Sequence, residues 1–131
     1  MIKHDIESIG KEIVDSAIKV HRELGPGLLE SAYEACLQHE LIKRGLKVER
    51  QKTMPIRYDG LLIDAGYRID LLVEGLVVIE LKAVESIIPI FHAQTLTYMR
   101  LSECTLGYLI NFNVSLLKNG LHRKVQNHSS S

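Results

Sequence analysis

Large aromatic residues and cysteine are scarce in this sequence, which has no Trp, two Phe, five Tyr and two Cys in 131 residues. Cys36 and Cys104 stand apart, with no CxxC pair and no His at ligand spacing. That excludes a zinc finger and a disulfide scaffold and leaves both as buried thiols. Net charge is also missing: 16 Lys and Arg balance 16 Asp and Glu. A chain that captures nucleic acid unaided by neutralising phosphates carries a basic excess, so tight autonomous binding is not expected. No apolar run approaches the ~18 residues that would suggest a membrane span. The opening MIKHDIESIGKEIV places acids and lysines where a secretory signal needs an apolar stretch. A soluble, cytoplasmic protein without a membrane partner is expected, and neither an internal repeat nor a low-complexity linker is visible.

What is present is an ordinary globular balance, 46% hydrophobic and 24% charged. The length suits one domain, read here as residues 1–126 with a polar tail over 127–131. Ile6, Ile9, Ile13, Ala17, Val20 and Leu24 recur at three- and four-residue steps, predicting an amphipathic helix from Asp5 to Leu24. Gly25-Pro26-Gly27 breaks it, because proline removes a donor and disfavours helix for the residue before it. A second helix is expected over about Leu28 to Arg44, opening at Glu30 and ending at Gly45.

β-branched and aliphatic stretches then follow around Lys47 to Tyr58, Leu61 to Ile63, Tyr67 to Val73 and Val77 to Ala83. Asp59-Gly60 and Glu74-Gly75 separate them, which predicts an antiparallel meander. Pro89 opens a third helix to Ser102, and Leu106 to Phe112 reads as a buried strand. The predicted order is α-α-β-β-β-α-β. Lys43, Arg44, Lys47, Arg50 and Lys52 form a local basic run whose simplest use is a solvated helix end and strand.

The chemistry centres on Asp70 and Glu80-Leu81-Lys82. Strand residues two apart share a face, so Glu80 and Lys82 point together, and a turn near Gly75 brings Asp70 alongside. A strict two-residue turn would set Asp70 opposite Ile79, on the wrong face; a three-residue loop or a bulge sets it across from Glu80. Charges in an otherwise apolar hairpin are costly unless paired or bound to a metal. Two hard carboxylates at one point favour Mg2+ or Mn2+. Such an ion can polarise a phosphate and activate water, with Lys82 orienting the nucleophile or neutralising developing charge. ExK alone is common in surface hairpins; Asp-x9-ExK within a hairpin is more specific.

The segment IDLLVEGLVVIELK resembles the core motif of the PD-(D/E)XK nuclease superfamily, with Ile69 in the place of proline. Gly27-Leu28-Leu29-Glu30-Ser31-Ala32-Tyr33 is similar to the signature of the GxxExxY proteins of that superfamily. The resemblance implies an α/β fold with helices flanking a central mixed sheet, and it implies that Glu30 joins Asp70 and Glu80 around the metal. Read without it, Glu30 is a carboxylate favoured at a helix start, and Tyr33 is a packing residue with a satisfied hydroxyl. Gln94-Thr95-Leu96-Thr97-Tyr98 is similar to the QxxxY motif of RecB-like nucleases, in which the glutamine helps complete the site. Residues four apart share a helical face, so Gln94 and Tyr98 point towards one partner. His92 falls outside this motif and reads as structural or surface.

Three functions compete: a metal-dependent nuclease, a non-catalytic module binding nucleic acid or protein, and a metal-assisted hydrolase of a small phosphorylated substrate. The presence of Glu30, Asp70, Glu80, Lys82 and Gln94 together favours the first. The partner is then DNA or RNA, and duplex cleavage by so small a domain would suit a homodimer.

Overall fold

The computed structural model describes residues 5–127. The N-terminal residues 1–4 and the expected polar tail, apart from Asn127, lie outside them. The first helix, α1 (Ile6–Leu24), starts where its sequence dictates: the Asp5 carboxylate accepts the Ser8 N–H at 2.7 Å and satisfies an otherwise orphaned donor. Ile9, Ile13, Ala17 and Val20 are its buried stripe. Gly25, at φ +67°, ends it, and α2 (Glu30–Lys43) opens at Glu30.

Beyond α2 come β1 (Val48–Thr53), β2 (Ile56–Tyr58), β3 (Leu61–Ile63), β4 (Arg68–Val73) and β5 (Val77–Lys82). The helix α3 (Pro89–Leu101), β6 (Leu106–Asn111), a 3-10 turn at Leu117–Asn119 and β7 (Leu121–Val125) complete the described chain. Five strands form one mixed sheet in the order β1-β4-β5-β6-β7, with β5 and β6 parallel and the other neighbours antiparallel. The expected α/β architecture is therefore present, with two departures in detail. First, the strands between α2 and α3 do not form one meander. Asp59 and Gly60, both at positive φ, close β2 onto β3 as a separate hairpin, and β1 pairs directly with β4. Pro55, which has no N–H to give a ladder, separates β1 from that hairpin. Second, β7 adds a strand beside β6; its sequence, LHRKV, is mostly polar because it lies at the sheet edge.

Helices cover both faces. On one, Ile9 and Ile13 of α1 and Leu37 and Leu41 of α2 pack against Leu71, Val73, Ile79 and Leu81. On the other, Met99 of α3 packs with Ile69, Leu72, Val78 and Cys104. Each fully buried aliphatic side chain stabilises the fold by about 1.5–3 kcal/mol. Gly107 lets α3 approach, since a Cβ there would stand 2.7 Å from Met99 Sδ. Cys104 is buried and Cys36 half-buried. Four of the five residues of the basic run form ion pairs within the chain: Arg44 with Glu12 and Glu40, Lys43 with Glu40, Arg50 with Glu34 and Lys52 with Glu49. His92 meets His122 edge-on at 5.1 Å.

Strand alternation fails at one place, and that place is Asp70. Leu71 and Val73 enter the α1/α2 core, yet Ile69 joins Leu72 in the α3 core. Across from it on β1, the ladder runs Arg50↔Leu71 and Lys52↔Ile69 without the intervening rung. The residue at that rung, Gln51, has φ +55°, a left-handed conformation that costs a non-glycine residue ~1–2 kcal/mol.

Candidate active site

The connection between β4 and β5 has three residues, Glu74-Gly75-Leu76, closed by the Leu76 N–H donating to the Val73 carbonyl at 2.9 Å. Glu74 and Gly75 both take positive φ. The resulting register, Val73↔Val77 through Leu71↔Ile79, brings Asp70 level with Glu80, the arrangement a shared site requires. Here the backbone ladder stops and the carboxylates take over. The Asp70 N–H donates to Glu80 Oε2 at 2.9 Å, and the Leu81 N–H donates to Asp70 Oδ2 at 2.8 Å. Each acid thus holds a donor of the other's strand and is oriented by it.

Glu80 is only 7% exposed. Desolvation first, and then the neighbouring Asp70 charge, push its carboxyl up to about 9, although the Asp70 N–H and the Lys82 ammonium oppose the shift. Desolvation also pushes Asp70 up to about 6, against the Leu81 N–H bond and with the charges of Glu34 and Glu30 adding to the rise. Two acids are thus held together in an environment that resists their ionisation.

Glu30 reaches the cluster from the first turn of α2. Desolvation raises its carboxyl above the ordinary value, and Lys82 opposes that rise. Its approach depends on the loop before it. Tyr33, fully buried and stacked on Phe112 at 4.7 Å, donates its hydroxyl to the Gly25 carbonyl and accepts the Leu28 N–H at 3.1 Å. Gly27, at φ +102°, occupies a backbone region closed to other residues. Glycine, acid and tyrosine in G-x-x-E-x-x-Y therefore have separate physical tasks: to turn, to present a carboxylate, and to fasten the turn.

Lys82 shares the Glu80 face and holds its ammonium 4.4 Å from the centroid of the Phe91 ring on α3. Tyr98 faces the cluster as well: burial, then the charges of Glu80 and Asp70, raise its hydroxyl above the ordinary value. Gln94, exposed one turn earlier, makes no hydrogen bond to a carboxylate among the described residues; with Tyr98, Tyr67 and Ile56 it lines a cavity of about 250 Å³. Structure thus brings Glu30, Asp70, Glu80, Lys82 and Tyr98 together, with Gln94 at their margin.

Two members of the cluster carry no motif. Glu34, 5% exposed on α2, accepts Arg50 Nε at 2.7 Å and the Gln51 side-chain amide at 2.7 Å. The same amide donates to Asp70 Oδ1 at 3.2 Å. A signal for Glu34 existed in its helical spacing, one turn after Glu30 and on the same face. For Gln51, in the polar strand VERQKT, there was none.

The donor set suits a hard divalent cation. Asp70 and Glu80 supply two converging carboxylates whose mutual repulsion such an ion would cancel, and Mg2+ is commonly held through one or two carboxylates and several waters. Among the described residues no three His, Cys, Asp or Glu side chains are drawn to one point, so Glu30 acts on the pair through charge and not through contact. No significant match is found among curated proteins or solved structures. A family model described as the PD-(D/E)XK nuclease superfamily matches residues 7–124, a span that includes both interlocked carboxylates, Lys82 and the α2 loop. With the mixed sheet, its flanking helices and the acids at the break in its ladder, this match makes the chain a member of the PD-(D/E)XK nuclease superfamily.

Proposed function

We propose that this chain hydrolyses phosphodiester bonds of DNA or RNA with the aid of Mg2+ or Mn2+, held by Asp70 and Glu80 with Glu30 completing the acidic face. The observation that carries the reading is the pair of carboxylates set across the hairpin, a buried Glu80 that holds the Asp70 N–H and an Asp70 that holds the Leu81 N–H, with Lys82 two residues beyond Glu80 on the same face. A bound divalent cation supplies Lewis acidity to a phosphate oxygen and lowers the pKa of water. The protein's own groups do the rest. Asp70 is oriented through the Leu81 N–H, and Glu80 through the Asp70 N–H. Lys82 places positive charge where the phosphate gains negative charge in the transition state. Gln94 and Tyr98, on the rim of the cavity, position the substrate.

The tasks of Gly27, Glu30 and Tyr33 support placing the chain with the GxxExxY proteins. One domain over residues 1–126, a cytoplasmic setting and a homodimer acting on duplex complete the proposal. The test is isothermal titration of Mg2+ and Mn2+ into wild type and Asp70→Ala, followed by cleavage assays on mixed DNA and RNA with the same samples. Binding and cleavage that vanish together in the variant support the reading. A wild type that binds neither ion, with or without nucleic acid, or an Asp70→Ala protein that cleaves normally, overturns it.

A further inference from the structure

We propose that Gln51 is a positioning residue that sets the orientation of the Asp70 carboxylate, a role that rests on the reading above in so far as Asp70 holds a metal. Gln51 interrupts a strand with φ +55° at the rung opposite Asp70, while the neighbouring rungs on both sides pair normally and in the same register. A strained backbone persists where surrounding contacts hold it in place. Here the contacts are those of the side chain, whose Nε2 donates to Glu34 Oε1 at 2.7 Å and to Asp70 Oδ1 at 3.2 Å. Both partners are carboxylates, which only accept, so the amide nitrogen and not its oxygen must face them. Glu34 is in turn held at its other oxygen by Arg50. With the Leu81 N–H on Asp70 Oδ2, both oxygens of Asp70 are tethered, one from each neighbouring strand.

The residue type fits the task. Two carboxylates need two donors from one group, and a primary amide supplies both. Lys or Arg at this position would bring a positive charge that competes with a divalent cation, Glu would add a further negative charge, and Asn is shorter by one methylene. An uncharged double donor fixes the acids and leaves their charge for the metal. Partners that orient metal-binding side chains in this way change affinity by about 10–100-fold when removed.

The test compares Gln51→Ala with Gln51→Gly in the full chain. Both lose the amide, but glycine also accommodates the positive φ, so Gly should melt above Ala in EDTA. Titrated with Mn2+ alone, both variants should bind about ten-fold or more weakly than wild type. A loss of affinity in Gln51→Gly without a loss of stability separates positioning from a merely structural role. Unchanged Mn2+ affinity in both variants overturns the proposal. A metal-free cycle of Gln51→Ala, Asp70→Ala and the double variant decides it independently: non-additive shifts in melting temperature support the tether, and additive shifts overturn it. If wild type binds no Mn2+, the metal-dependent reading fails, and the cycle still decides whether Gln51 orients Asp70.

Discussion

Replacing Glu80 by Gln should stabilise the metal-free protein while abolishing metal-dependent activity. Glutamine preserves the shape and can still accept the Asp70 N–H through its carbonyl oxygen, so the 2.9 Å bond survives. What disappears is the cost of a buried acid. The Glu80 carboxyl ordinarily titrates near 4.5 and is pushed up to about 9 in the fold, chiefly by desolvation. A group raised in this way binds its proton more tightly when folded. It therefore imposes no penalty below about pH 4.5, and a growing one as pH rises towards 9. Each pH unit in that window costs about 1.4 kcal/mol, which gives a penalty of order 3 kcal/mol at pH 7. For a chain of this size that corresponds to roughly 10–12 °C in melting temperature. Thermal unfolding followed by circular dichroism in EDTA from pH 4 to 8 should show the two curves together at the acidic end and Glu80→Gln increasingly more stable above it. Added Mg2+ should raise the melting temperature of wild type and not that of the variant. A gap that is absent, reversed or independent of pH refutes the argument that Glu80 is a desolvated acid kept for its ligand.

Three other substitutions probe the surrounding parts. Lys82→Met keeps an apolar stem over Phe91 and removes only the ammonium; cleavage should fall by about 100-fold or more with little change in melting temperature, given the rate effects of losing one stabilising charge. Tyr33→Phe leaves the stack on Phe112 but frees the Gly25 carbonyl and the Leu28 N–H; it should cost about 1–3 kcal/mol in urea unfolding and reduce cleavage by displacing Glu30. Arg50→Met strips Glu34 of its cation while Glu34 stays buried; unfolding should detect a loss of about 1–3 kcal/mol, and an unchanged midpoint would show that the pair contributes nothing.

Much of this arrangement was readable because it is local. The α1 stripe, its Asp5 cap and the Gly25-Pro26-Gly27 break are all short-range rules, and they set the helix boundaries. The Asp70–Glu80 juxtaposition followed from counting residues around Gly75, once a three-residue loop was allowed. Long-range pairing was less legible. Nothing in VERQKT says that it skips over β2 and β3 to pair with β4, and the polar LHRKV carries no strand pattern of its own until it is seen against β6. Gln51 could not be read at all, because its meaning comes from two partners 17 and 19 residues away and from a backbone angle that no sequence pattern encodes.

The kink at Gln51 also bears on how copies of the chain meet one another. β1 is an outermost strand of the sheet, and an unbroken edge is a template on which a second molecule can add a strand. With φ reversed at its middle and Glu49, Arg50 and Lys52 around the reversal, β1 cannot offer a regular row of donors and acceptors. The same distortion that turns an amide inward to the acids makes this margin a poor seed for cross-chain sheet growth, so straightening it should raise the tendency to form fibrils.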